Sequence, residues 1–421
     1  MASKLHDNDC SHCSRRAFLR KGAYGLGIMS AMPAFFNRTS SALALEALTG
    51  DKEKHPNRIL VVAELSGGND GLNTVIPYTD DDYYRSRPTL AIQEEKVRKI
   101  NDEFGFHPSL DGFERVYKDG QMAIIQGCGY PNPSLSHFSA LEYWHTGVPN
   151  GTESRGWVGR FADAYSPSPQ KNFIVNIAKS QTLAVRSQGH SPIVFNDPER
   201  FDRRVSEAHK GTLAQLSHYR PSPDNSTLDF VRRVSGNAAD SSQFVKQACA
   251  RYETPVDYGF STLGLARDLK RVAALISAGL PTRVYYVNFA GFDTHTNQLI
   301  TQRQLLLYVG HAIRGFLADM KRIGRADDIA VMMFTEFGRR VKENASGGTD
   351  HGTASPMYIF GHRVKGGIYG KHPSLTDLDE GNLRMTTDFR TVYATAIKEW
   401  MGLEDTKSVL NAEFPTLDIF A

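Results

Sequence analysis

The sequence predicts an α/β fold of three layers, a largely parallel sheet with helices on both faces. Three observations predict it. Short runs rich in β-branched residues recur along the chain, longer segments of helical period separate them, and the first run ends in Gly67-Gly68, as expected for a strand buried on both faces.

That first run, Ile59-Leu60-Val61-Val62-Ala63 within Arg58 to Leu65, is read as a central strand. Met122 to Gln126, Phe173 to Ile177, Arg283 to Phe289 and Asp328 to Phe334 follow it as further strands. Helical periods occupy Leu228 to Cys249, Leu263 to Ser277, Gln298 to Ile323 and Asp388 to Trp400. The stretch 164–225 is rich in Pro, Ser, His and charge, with only short apolar runs, and reads as an insertion or cap. Between 361 and 383 the spacing of Gly366-Gly367, Gly370 and Pro373 signals turns and a hairpin.

The N-terminus carries an address. Ser14-Arg15-Arg16-Ala17-Phe18-Leu19-Arg20 precedes the apolar stretch Gly22 to Phe36, the pattern of a twin-arginine leader. At about 15 residues that stretch is shorter than the roughly 20 a spanning helix needs, so no membrane anchor is expected after cleavage. Ala42-Leu43-Ala44 supplies a small-x-small cleavage site, which makes 1–44 the signal peptide and 45–421 a single domain. The 49 Lys and Arg and 46 Asp and Glu of the whole chain include six basic and two acidic residues in the leader, leaving 43 against 44. A nearly neutral chain gives no global electrostatic case for nucleic acid, and small-molecule chemistry is the better expectation. Cys10-Ser11-His12-Cys13 lies in the discarded leader without a second pair at zinc spacing, and only Cys128 and Cys249 remain.

Ligands of parallel sheets bind beyond the carboxyl ends of the strands, and the chemistry-bearing residues collect there. The first strand leads to Glu64 and, after Gly67-Gly68-Asn69, to Asp70; the fourth leads to Asp293 and His295; the fifth leads to Glu336 with Arg339 and Arg340. A Gly-rich loop then presents Asp350-His351. Carboxylates and imidazoles arriving from separate strands suit a hard or borderline divalent cation. Asp70 and Asp293 suit helix N-caps equally well, and Glu336 suits an ion pair with Arg339 or Arg340. The segment Leu72 to Tyr78 after the Gly-rich turn has no helical period, which disfavours a dinucleotide fingerprint. After the second strand, Ser134 and Ser136 stand at a helix start, as N-caps or as a nucleophile, with His137 beside them as a local hydrogen-bonder or proton-transfer partner.

Several long motifs together carry a resemblance: Glu64-Leu65-Ser66-Gly67-Gly68-Asn69-Asp70-Gly71, Pro131-Asn132-Pro133-Ser134-Leu135-Ser136-His137-Phe138, Phe292-Asp293-Thr294-His295, and Thr335-Glu336-Phe337-Gly338-Arg339-Arg340 through Gly348-Thr349-Asp350-His351. With the leader, they resemble a large bacterial family of exported proteins known as a domain of unknown function and grouped with the alkaline phosphatase and sulfatase superfamily. The resemblance implies an alkaline phosphatase-like fold, a periplasmic or secreted location, export through the twin-arginine translocase, and a bound divalent metal ion. It places Ser136 as the nucleophile, with Glu64 or Asp70, then Asp293, His295, Glu336 and His351 as metal ligands, and Asp350, beside His351 in the loop, is a further candidate ligand. Arg339 or Arg340 would clamp the anion. The implied activity is hydrolysis of phosphate or sulfate esters of small molecules or glycans. The alternative is an inactive envelope protein that binds an anionic glycan or a protein partner. Two departures stand out: Phe337 occupies a position where the superfamily has a His, and His295 follows Asp293 at an unusually short spacing. They count against two-metal catalysis and leave one metal, an altered site or an inactive one as the alternatives.

Overall fold

The strands form where the β-branched runs predict them, and their pairing sets the architecture. The computed structural model describes residues 55–201, 241–260 and 264–421. The expected leader, residues 202–225 of the expected insertion and residues 228–240 of the helix expected from Leu228 lie outside these residues. The main sheet contains β1 (Ile59–Ser66), β2 (Met122–Gly129), β3 (Ile174–Ile177), β4 (Ile193–Phe195), β5 (Val284–Ala290), β6 (Ile329–Phe334), β7 (Ser355–Phe360), β8 (Gly367–Tyr369) and β9 (Thr387–Asp388). Their order is β8-β2-β7-β6-β1-β5-β3-β4, with β9 pairing to β2 beyond β8. Strand β7 runs antiparallel to both its neighbours, and the remaining pairings are parallel.

Alternation along β1 builds the three layers. Ile59, Val61, Ala63 and Leu65 pack into a core shared with helices α1 (Asp111–Lys118), α4 (Gly264–Ser277) and α5 (Gln298–Arg322). Leu60 and Val62 face the opposite core, shared with α2 (His137–Thr146), α3 (Trp157–Tyr165) and α6 (Phe389–Thr395). Successive side chains of a strand point to opposite faces, so a strand apolar at every position must be covered on both sides. Helix α6 continues as a π-helical turn, Ala396–Trp400, which brings the Trp400 indole N–H to the Ile59 carbonyl at 3.0 Å. Among the described residues no helix is long and apolar enough to cross a membrane.

Four strands of the main sheet were not expected: Ile193–Phe195, Ser355–Phe360, Gly367–Tyr369 and Thr387–Asp388. Ile193–Phe195 extends the sheet edge from within the stretch read as an insertion, because three residues are too few to display a period. Ser355–Phe360 is the antiparallel strand. It reverses the chain so that the loop before it, with Asp350 and His351, reaches the edge where the parallel strands end. The expected hairpin forms between Leu378–Asp379 and Asn382–Leu383. Cys128 and Cys249 are free thiols.

Candidate metal centre

The carboxyl end of β1 turns through Gly67 and Gly68, both at positive φ. A Cβ on Gly67 would lie 2.4 Å from the Asp293 nitrogen, and one on Gly68 would lie 2.5 Å from the Phe337 ring. Only glycine lets the loops after β1, β5 and β6 approach this closely. Helix α2 starts opposite them. Ser136 is its extended N-cap residue, Ala140 N–H closes the first turn onto the Ser136 carbonyl at 2.9 Å, and left-handed Gly147 ends it.

Three imidazoles and one carboxylate converge at this point. Nε2 of His295 and Nε2 of His351 each lie 3.1 Å from Asp293 Oδ1, and 3.0 Å from each other. His137 Nε2 lies 3.6 Å from Asp293 Oδ2. The three Nδ1 atoms are all tied elsewhere: His137 to Glu336 Oε1 at 2.7 Å, His295 to Asp350 Oδ1 at 3.3 Å, and His351 to the Leu135 carbonyl at 2.8 Å. An Nδ1–H bonded to an acceptor fixes the tautomer and leaves Nε2 as a lone-pair donor. Ligand atoms of His137, Asp293 and His351 lie within 4.8 Å of one another.

These residues fit a divalent cation. His137 Nε2 is buried with no hydrogen-bond partner among the described residues, and an orphaned buried acceptor calls for an ion or a donor. With metal–nitrogen bonds of about 2.1 Å, two ligand nitrogens around one ion stand roughly 3.0–3.4 Å apart, the spacing seen between His295 and His351. Glu336 is itself buried and held: its Oε1 also accepts Gly67 N–H at 2.8 Å and its Oε2 accepts the Thr335 hydroxyl at 3.1 Å. Phe337 closes the centre, with its ring centroid 4.8 Å from that of His137 and 4.7 Å from that of His351. At the position where the resemblance led us to expect a ligand stands an apolar wall.

Charge in the centre follows from these contacts. The hydrogen bond to Glu336 raises the His137 pKa against the opposing effect of burial, helped by the charges of Glu336 and Asp293. Burial works against ionisation of Asp293, but the hydrogen bond and charge of Arg339, with the neighbouring imidazoles, outweigh it and hold the carboxyl at about 2. Asp350 is also lowered, first by its bond from Asn344.

Other expected site residues take different roles. Asp70 is buried and held by Arg87, with Nη1 to Oδ2 at 2.5 Å and Nη2 to Oδ1 at 3.0 Å, while Gln298 donates to Oδ2 at 2.5 Å. Its oxygens are already satisfied, which corrects its assignment as a metal ligand. Glu336 and Asp350 stand behind the imidazoles and orient them; they are corrected from ligands to supporting carboxylates. Arg339 is fully buried. It donates from Nε to the Gly68 carbonyl at 2.7 Å, from Nη1 to Thr349 at 2.8 Å, and from Nη2 to Gly67, to Phe292 at 3.0 Å and to Asp293 at 2.7 Å. A guanidinium engaged with three loops is not an anion clamp, so that assignment too is corrected.

Glu64 belongs to a separate buried network. It takes bonds from Ser66 at 2.5 Å, His145 at 2.7 Å, Tyr286 at 2.5 Å and Asn288 at 2.6 Å. Burial opposes its charge, but His145, through charge and hydrogen bond, with Ser66 and Tyr286, brings its pKa down to about 2. No expectation included His145, although its spacing of eight from His137 puts both on one side of α2. Ser136 is exposed, makes no capping bond with its side chain, and sits between Leu135, which binds His351, and His137.

The family model described as a protein of unknown function, DUF1501, matches residues 57–413, and so spans the whole cluster. The chain belongs to this family. A search of curated proteins found no match. Among solved structures, the chain is similar to the PsFucS1 sulfatase from Pseudoalteromonas sp., at 10% identity over 90% of this chain and 73% of that one, with a TM-score of 0.39. It is similar to the phosphonate monoester hydrolase SpPMH from Silicibacter pomeroyi, at 10% identity over 85% and 77%, with a TM-score of 0.33. It is also similar to the zinc complex of the C-terminal periplasmic domain of EcEptC from Escherichia coli, at 12% identity over 73% of each chain, with a TM-score of 0.33.

Proposed function

We propose that this family member is an exported, metal-dependent hydrolase of phosphate or sulfate esters, with one divalent ion held by His137, Asp293 and His351, His295 standing beside Asp293 and His351, and with Ser136 as nucleophile. One observation carries the reading: three imidazoles, each pinned at Nδ1 by an acceptor, turn Nε2 toward a single carboxylate. A bound divalent ion supplies Lewis acidity, polarising an ester oxygen and lowering the pKa of a hydroxyl beside it. The chain supplies the rest. Glu336 and Asp350 hold the Nδ1 protons of His137 and His295. Phe337 keeps water from one side of the imidazoles, and the free N–H groups of the first turn of α2 face an anion approaching Ser136. The Ser136 oxygen bonds to phosphorus or sulfur as the ester bond breaks, its proton leaves with the departing alcohol, and water then releases the anion and restores the serine.

The twin-arginine pattern supports export in folded form to the periplasm or beyond, through the translocase. The rival reading, a protein that binds an anionic glycan or a protein partner without turning it over, draws on the engagement of Arg339 with loop carbonyls. Turnover of aryl phosphates and sulfates by metal-loaded wild type and Ser136→Ala separates them. The hydrolase reading expects activity that the substitution abolishes while bound metal persists; bound metal with no turnover in wild type favours the rival.

A further inference from the structure

Six large apolar side chains are exposed among the described residues: Leu135, Phe138, Phe260, Leu299, Ile300 and Met385. Single exposed apolar residues need no explanation, but a group bordering a polar site does. Leu135 and Phe138 flank Ser136-His137. Leu299 and Ile300 lie on the first turn of α5, four and five residues past His295. Met385 sits beside Gly129 and Ala354, at the end of β2 and three residues past His351. Phe260 alone lies elsewhere, against Tyr308.

The His351 ring contacts His137, at the start of α2, with centroids 4.4 Å apart, and His295, just before α5, with centroids 4.7 Å apart. Both helix starts therefore adjoin it, one bearing Phe138, 90% exposed, and the other Ile300, 74% exposed. An ester held at this cluster by its anionic head leaves its alcohol portion at the rim that Phe138 and Ile300 border. We infer that these side chains form an apolar collar that receives the alcohol portion of the ligand, and that the substrate joins its anionic head to an alkyl or aryl group. The ester chemistry rests on the hydrolase reading; recognition of an apolar group beside an anion does not.

Calorimetric titration of the metal-loaded protein with methylphosphonate, phenylphosphonate and octylphosphonate tests the collar without needing turnover. Phenylphosphonate and octylphosphonate should bind about tenfold more tightly than methylphosphonate. In Phe138→Ser/Ile300→Ser the preference should shrink to within about twofold, with methylphosphonate binding unchanged. Equal affinities in wild type, no binding of any phosphonate, or a preference that survives the double substitution would overturn the inference. So would a double variant that loses only binding to phosphatidylglycerol vesicles, since the collar would then be a membrane contact. Preference without ester turnover sinks the hydrolase reading and leaves the collar standing; turnover indifferent to the alcohol sinks the collar alone.

Discussion

Replacing Arg339 by Met keeps the apolar stem and removes every donor. The loss strands the carbonyls of Gly67, Gly68 and Thr349 and takes one donor each from Asp293 and from the Phe292 carbonyl, which keeps the Thr294 N–H. A buried polar group left unsatisfied costs about 1–3 kcal/mol. The Asp293 side chain is 48% exposed, so its ion pair adds little. Some of the stranded carbonyls can recruit water as the loops relax. The net effect should be about 3–5 kcal/mol, as for breaking a buried charge network, against a total stability of roughly 5–15 kcal/mol for a natural domain. Urea unfolding should show a lower midpoint at an unchanged slope, and Arg339→Lys should recover only part of the loss because one ammonium cannot reach three loops. A variant within about 1 kcal/mol of wild type that has lost turnover would refute this reasoning and return Arg339 to the role of anion clamp.

Two further predictions concern residues that stand outside the cluster. Asp70→Asn leaves the Arg87 guanidinium buried without its counter-charge and should destabilise by about 3–5 kcal/mol, yet the bound metal of the folded protein should stay at the wild-type level; metal analysis of the folded fraction checks this. The Glu64 carboxyl, brought from 4.5 to about 2, stabilises the fold fully above its unfolded value and loses that contribution as pH falls from about 4.5 through 2. The stability gap between wild type and Glu64→Gln should therefore close as pH falls from about 4.5 toward 2. Unfolding curves between pH 2 and 7 read it directly, and a gap that widens in acid would contradict the assignment.

Much of the sheet is legible in the sequence because a strand covered on both faces has to be apolar at successive positions, as Ile59 to Ala63 is. Strand Ile193–Phe195 is too short to announce itself, and Ser355–Phe360 reads as an apolar run whose direction depends on its partners. The strand-end rule locates the cluster, since Asp293, His295 and His351 all lie where parallel strands deliver ligands. It does not tell a ligand from its support. Asp70 and Asp293 look alike in sequence, but Arg87, seventeen residues past Asp70, folds back to neutralise Asp70 alone. Arg339 follows Glu336 so closely that an ion pair or a clamp seems natural, yet its side chain runs beneath the loops after β1 and β5. His137 reads as a neighbour of Ser136, and only the tertiary approach of Glu336 turns its Nε2 toward Asp293.

The central claim is a single divalent site built from His137, Asp293 and His351, and metal stoichiometry tests it most directly. After loading and exhaustive dialysis, elemental analysis of folded wild type should find one divalent ion per chain. Asp293→Asn and His351→Ala should lose it, and Glu336→Gln should bind it about 10–100-fold more weakly through the loosened His137 imidazole. A wild type that retains no ion, or Asp293→Asn and His351→Ala variants that retain a full complement, would contradict the account.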